Sequence, residues 1–190
     1  MKTEQISATP VRNGELYPLS VEAYHVLGEA GLLPKNTELL YGLVYKKMPK
    51  SPIHAALIAR LLRALAVEES KRFWIRSEQP ITCVDSEPEP DISVVRGTED
   101  DYLRAHPCTA EFVAEVCVTS HDYDRSKLRA YALAHVKECW LVMQPEKQVE
   151  VYRKSANGVF LEKTVVGPGG KLTCQALPSV TIDLDQLFRE

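Results

Sequence analysis

The segment Ser86-Glu87-Pro88-Glu89-Pro90-Asp91 passes without a break into the apolar run Ile92-Ser93-Val94-Val95. Two prolines stiffen the acidic stretch and keep it out of a helix. The chain must therefore deliver an aspartate to the entrance of a buried strand, where a carboxylate is costly unless something compensates it. Twenty-four residues later, Phe112-Val113-Ala114-Glu115-Val116-Cys117-Val118 carries a second carboxylate in mid-run, where a structural strand would have Val or Ile. Two carboxylates on neighbouring buried strands suggest a divalent cation between them.

The remaining composition sets the bounds. A chain of 190 residues is long enough for one domain with a real core. Residues 1–16 hold little apolar content and read as a flexible tail, with one domain over 17–190. The N-terminus lacks the basic-then-apolar pattern of a signal peptide, and no apolar run approaches the ~20 residues that span a bilayer. A cytoplasmic protein with no membrane partner is expected. The five cysteines are scattered without a C-x-x-C pair and read as reduced core thiols. A formal net charge of −3 argues against a nucleic-acid binder held by bulk basicity, but it does not exclude an enzyme whose acidic site is offset by a bound cation.

Periodicity orders the elements. Ser20 caps a short helix over 20–31, and Glu38 to Met48 reads as a strand or hairpin broken at Gly42. The clearest helix runs from Pro52 to about Ser70, capped by Ser51, with His54 on the face of Ile58, Leu61 and Leu65. Strand signals follow at Phe73–Ile75, Pro80–Val84, Ile92–Val95 and Phe112–Val118, with an acidic loop over 97–109. A helix over 124–135 sets Lys127, Tyr131 and His135 on one side by i, i+4 spacing. Cys139–Met143 is another buried strand. A C-terminal meander turns at Asn157-Gly158 and ends near Val180–Leu184. The order helix, three strands, helix, strand predicts an α/β core with a mixed sheet flanked by helices, which the C-terminal strands extend.

Alternate residues of a strand share a face, so Glu115 and Cys117 point together, and Asp91 at the start of an adjacent strand can meet Glu115. Such a pair suits Mg²⁺ or Mn²⁺, which take oxygen ligands and retain water. Lys127, the only lysine between residues 72 and 136, can donate to a phosphate or orient the water. Structural roles stay open beside these. Asp91 could cap a turn after Pro90, Glu115 could pair with Lys127 or Arg125, His54 could be a helix-start histidine, and Tyr131 could be packing. Glu38, Glu78 and Asp124 are ambiguous, Asp124 suiting a helix cap.

Taken in order, Leu19-Ser20-Val21-Glu22-Ala23-Tyr24, Glu38-Leu39-Leu40-Tyr41-Gly42, Ser51-Pro52-Ile53-His54, the Ser86–Asp91 run, Glu115-Val116, Tyr123-Asp124-Arg125, Lys127-Leu128, Tyr131 and Glu138-Cys139-Trp140-Leu141-Val142 resemble the Uma-two family of bacterial endonuclease-like proteins in the PD-(D/E)xK superfamily. The resemblance implies a restriction-endonuclease-like fold and hydrolysis of DNA phosphodiesters with Mg²⁺ or Mn²⁺. By that likeness Pro90-Asp91 is the PD element and Glu115 the (D/E). Lys127 stands in from the helix for the lysine expected where this chain has Cys117. Asp91, Glu115 and Lys127 are then the catalytic set, Asp91 and Glu115 the metal ligands, and His54, Glu38 and Tyr131 accessory residues. Restriction-type nucleases often pair to address two strands, so a homodimer on DNA is expected by analogy. The competing expectation is a catalytically silent nuclease-fold protein that binds DNA or a protein partner.

Overall fold

A computed structural model of the chain describes residues 16–68, 72–119 and 121–189. The expected N-terminal tail lies outside these residues except for Leu16. Ser20 Oγ accepts the Ala23 N–H at 3.1 Å and starts helix α1, Val21–Glu29. Strands β1, Thr37–Leu40, and β2, Leu43–Lys46, form the hairpin foreseen around Gly42. Its two-residue turn places Tyr41 at φ 53° and Gly42 at φ 75°, the double left-handed geometry of a type I′ turn.

Helix α2, Pro52–Leu65, begins where expected, with the His54 N–H donating to Ser51 Oγ at 3.3 Å and Pro52 in the first turn. It ends earlier than its apolar period suggests and passes into a 3₁₀ turn over Ala66–Glu68, and the rest of the foreseen helix lies outside the described residues. Strands β3, Phe73–Ser77, and β4, Ile92–Arg96, pair antiparallel, and β4 pairs antiparallel with β5, Phe112–Cys117. Helix α3, His121–Leu133, then carries the chain over to β6, Glu138–Met143, which runs parallel to β5. Parallel neighbours need such a crossover. Strands β7, Gln148–Ala156, and β8, Val159–Val166, add antiparallel edges through the Asn157-Gly158 turn. The mixed sheet thus has six strands in chain order, β3-β4-β5-β6-β7-β8, and α2–β3–β4–β5–α3–β6 is the expected helix, three strands, helix, strand.

Three expectations need correction. Pro80–Val84 is not a strand. Ile81 and Cys83 are buried, but the backbone bonds outward to loops, with Ile81 N–H on the Pro88 carbonyl at 2.9 Å and Thr82 N–H on the Pro107 carbonyl at 3.0 Å. Alternation fixed which side chains go inward without supplying a ladder partner. Only β7 and β8 of the C-terminal strands extend the sheet. Strands β9, Lys171–Thr173, and β10, Thr181–Asp183, form a separate hairpin, followed by the one-turn helix α4, Leu184–Leu187. Finally, α3 stops before His135, which is exposed and adopts φ 57°. Val136 N–H reaches the Tyr131 carbonyl at 3.0 Å and His135 N–H the Ala132 carbonyl at 3.2 Å, a Schellman-type end with His where glycine is usual.

Two apolar layers sandwich the sheet. Ile92, Val94, Phe112, Ala114 and Val116 face α2 and the β9–β10 hairpin. Val95, Val113, Cys117 and Leu141 face α3. Phe112 and Trp140 meet edge to face with centroids 4.9 Å apart. By parity Glu115 belongs with Val113 and Cys117 and points into the α3 layer.

The β1–β2 turn is pinned to the rest of the molecule. Gly42 N–H donates to the Asp85 carbonyl at 3.0 Å, and a Cβ at Gly42 would stand 2.3 Å from Pro18 Cβ. Gly42→Ala adds that clash to a disfavoured φ, and a loss of about 2 kcal/mol is expected. Urea denaturation of the two proteins measures it.

Candidate active site

The proline of the Pro90-Asp91 pair explains where the aspartate goes. The β4–β5 register ends at Ile92 opposite Ala114. Two residues further it would set Pro90 opposite Val116, and proline brings no N–H to a ladder. Where the ladder stops, the Asp91 side chain meets Val116: its Oδ2 accepts the Val116 N–H at 2.7 Å, while its own carbonyl accepts from Glu78 N–H at 3.2 Å and Ser77 Oγ at 3.0 Å. Asp91 N–H in turn lies 3.4 Å from Glu115 Oε2. The two acidic residues are thus interlocked at one end of adjoining strands.

His54 reaches this end from the first turn of α2, with Nε2 3.1 Å from Asp91 Oδ2. If the ring carries its proton on Nε2, Nδ1 is left as an acceptor, and Nδ1 is buried without a protein partner. Lys50, in the loop before α2, approaches Asp91 Oδ1 at 3.4 Å. Burial works to raise the Asp91 pKa, but the His54 bond, the Val116 N–H and the Lys50 ammonium outweigh it and hold the carboxyl below its ordinary value.

Glu115 sits deeper, 2 % exposed. Its Oε1 accepts the Tyr131 hydroxyl at 2.5 Å and stands 3.3 Å from Lys127 Nζ. Tyr131 is therefore a donor to the site as well as a packing ring. Lys127 also pairs with Glu38 Oε1 at 3.2 Å and lies 4.0 Å from Asp124 Oδ1. Glu38 comes from β1, where its Oε1 accepts the Tyr123 hydroxyl at 2.8 Å and its Oε2 the Glu89 N–H at 3.0 Å. Burial pushes Glu115 up to about 8; the Lys127 ammonium opposes this, and the carboxylates of Asp91, Asp124 and Glu38 add to it. Burial would lower Lys127, yet Glu115, Glu38 and Asp124 together hold it charged and above its usual value. Glu115 therefore holds its proton more tightly than an ordinary carboxyl does.

A cavity of about 140 Å³ opens over these groups, lined by Glu38, Lys47, Lys50, His54, Asp91 and Lys127 among others. All six sequence-derived candidates come together around it: Asp91, His54, Glu38 and Lys127 on its wall, with Glu115 and Tyr131 bonded behind. Cys117, at the position where the superfamily pattern carries lysine, is fully buried in the α3 layer, and burial raises its thiol far above the ordinary range. It supplies no cation. Asp124 is buried within the first turns of α3 and does not serve as the helix cap.

Sequence reading missed Lys47, Lys50 and Tyr123. Lys47 pairs with Glu89, and the Lys127 ammonium lies over the Tyr123 ring, 5.2 Å from its centroid. The available signal was the basic run Lys46-Lys47-Met48-Pro49-Lys50 directly before a capped helix that carries a histidine in its first turn.

This fold and site define a restriction-endonuclease-like α/β protein. The chain belongs to the Uma2 family, described as "Putative restriction endonuclease", which matches residues 22–185. Among solved structures it is similar to one titled as a putative nuclease belonging to DUF820 from Anabaena variabilis ATCC 29413. The two share 19 % identity at a TM-score of 0.69, over 85 % of this chain and 96 % of that one, which shows a common fold. No curated protein matches the chain. Among the described residues no helix is long and apolar enough to cross a membrane.

Lys127 is the cation on which two buried carboxylates depend. Lys127→Met leaves Glu38 and Glu115 uncompensated, and a loss of about 3 kcal/mol is expected above neutrality. The raised Glu115 pKa fixes the sign: the protonated acid's contribution is full below its unfolded value and is lost as pH rises through about 8. In the variant the deficit therefore shrinks on acidification, as Glu115 takes up its proton. Denaturation curves between pH 5 and pH 9 test this.

Proposed function

We propose that this protein is a divalent-metal-dependent endonuclease that hydrolyses DNA phosphodiesters at Asp91, Glu115 and Lys127. The observation that carries the reading is the interlocked Asp91–Glu115 pair with the Lys127 ammonium 3.3 Å from Glu115, beside an open cavity. Family membership supports the reaction class.

The donor set fits a hard cation. Asp91 and Glu115 offer carboxylate oxygens, as Mg²⁺ and Mn²⁺ prefer. Among the described residues no three or more His, Cys, Asp and Glu side chains stand together as a metal-holding group. That is too few ligands for a closed protein cage of the zinc kind, whereas Mg²⁺ is commonly held by one or two carboxylates, with water and substrate phosphate completing its shell. Asp91 and Glu115 would hold the ion, which when bound supplies an acidified water and charge for the scissile phosphate.

The surrounding residues prepare this site. His54 and the Val116 N–H fix the Asp91 carboxylate, and the Tyr131 hydroxyl fixes that of Glu115. Glu38, held by the Tyr123 hydroxyl and the Glu89 N–H, anchors Lys127 from the far side. A preorganised ammonium needs little rearrangement to meet charge developing on a phosphate oxygen, which is where positioned electrostatics lower a barrier most.

Plasmid cleavage with Mg²⁺ and Mn²⁺ tests the reading. Wild-type protein should nick or linearise DNA only with added metal, and Asp91→Asn should lower the rate by about 10²-fold or more. Protein that binds DNA and metal but never cuts would instead be a silent nuclease-fold binder.

A further inference from the structure

Lys50 has no part in the chemistry above, yet its ammonium faces the Asp91 oxygen turned away from His54. It stands 3.4 Å from Oδ1, the oxygen that neither His54 nor the Val116 N–H engages. It pairs at the same time with Glu78, a more exposed carboxylate placed just outside the site by its left-handed backbone, φ 57°. The segment that carries it, residues 47–50 between β2 and α2, has no regular secondary structure. Lys50 is thus a cation on a four-carbon stem with one partner inside the site and one outside.

We propose that Lys50 is a tethered counterion that occupies the cation's place on Asp91 and retreats to Glu78 when a divalent ion arrives. This inference rests on the metal-dependent reading above. An aspartate as buried as Asp91 needs positive charge at all times. A tethered ammonium supplies it while no metal is bound, so the site stays formed, but every incoming ion must displace it. Metal affinity is lowered by the worth of that contact. The displaced ammonium remains at the cavity mouth beside Lys47, where a substrate phosphate would enter.

The test measures Mn²⁺ binding, by the signal of free Mn²⁺ in electron paramagnetic resonance, to wild type, Lys50→Met, Lys50→Arg and Glu78→Gln. Thermal melting with and without Mn²⁺ accompanies each. Lys50→Met removes the competitor and keeps the aliphatic stem. It should bind Mn²⁺ about fivefold more tightly, the size of a partly exposed ion pair, and gain more in melting temperature on Mn²⁺ addition than wild type does. Lys50→Arg should stay near the parental affinity. Glu78→Gln removes the outer refuge, drives the ammonium onto Asp91 and should weaken Mn²⁺ binding, an independent check if Lys50→Met folds poorly. Equal or weaker Mn²⁺ binding by Lys50→Met, or unchanged binding by Glu78→Gln, overturns the counterion role. In that case, wild-type binding that Asp91→Asn abolishes leaves the metal-dependent reading standing. Absence of Mn²⁺ binding in both wild type and Lys50→Met overturns both.

Discussion

The ammonium of Lys127, buried from solvent and held between Glu38 and Glu115, is the contact on which the arrangement depends. It joins three parts of the fold: the β1–β2 hairpin through Glu38, the central sheet through Glu115 and helix α3 through its own backbone. A buried ion pair of this kind is weak evidence of net stability, because desolvation consumes most of its Coulombic gain. Its value lies in specificity. Any displacement of hairpin, sheet or helix strands a charge in a low-dielectric interior, so the three elements keep one relative position. Tyr123 and Tyr131, one turn to either side of Lys127, lock the two carboxylates with hydroxyl donors.

The sheet places its acids where its own hydrogen bonding fails. Pro90 has no N–H with which to continue the β4–β5 ladder, and beyond Ile92 the Val116 N–H donates to the Asp91 side chain. One substitution pattern, proline then aspartate, both ends the strand pairing and aims a carboxylate across the end of the neighbouring strand. The cost is an excess of negative charge in a confined space. It appears as a Glu115 pKa pushed up to about 8 by burial and neighbouring carboxylates. A stable core would not be built this way, and sites that do chemistry commonly are.

Other buried carboxylates in the molecule show the contrast. Glu138, at the start of β6, accepts from Trp140 Nε1 at 2.7 Å, Arg153 Nη2 at 2.8 Å and the Gln175 and Ala176 N–H groups, tying the C-terminal segment to the sheet. Glu150 on β7 takes donors from Arg125, Tyr152 and Lys163; burial opposes its ionisation, but these donors prevail and bring it down to about 2. Each of these acids is fully compensated, mainly by arginine, and neither borders the cavity. At the Asp91 end the partners are histidine, lysine and tyrosine, and charge is left over.

The sequence by itself determined the order of elements, the two acid-bearing strands and the lysine that follows them. These are local matters of period, proline chemistry and the cost of a carboxylate in an apolar run, so they could be read residue by residue. The capped start of α2 with His54 inward, and the Asn157-Gly158 hairpin, were legible for the same reason. Tertiary structure alone decided that Ile81 and Cys83 pack without a ladder, that the last two strands leave the main sheet, and that α3 ends on a left-handed His135. It alone seated Lys47 and Lys50, from the loop before α2, on the wall of the cavity, and turned Tyr131 from a packing ring into a donor to Glu115. Those outcomes depend on which distant group supplies a hydrogen bond or an opposite charge. Such a partner is chosen by how the layers close over one another, and no local pattern in the chain encodes it.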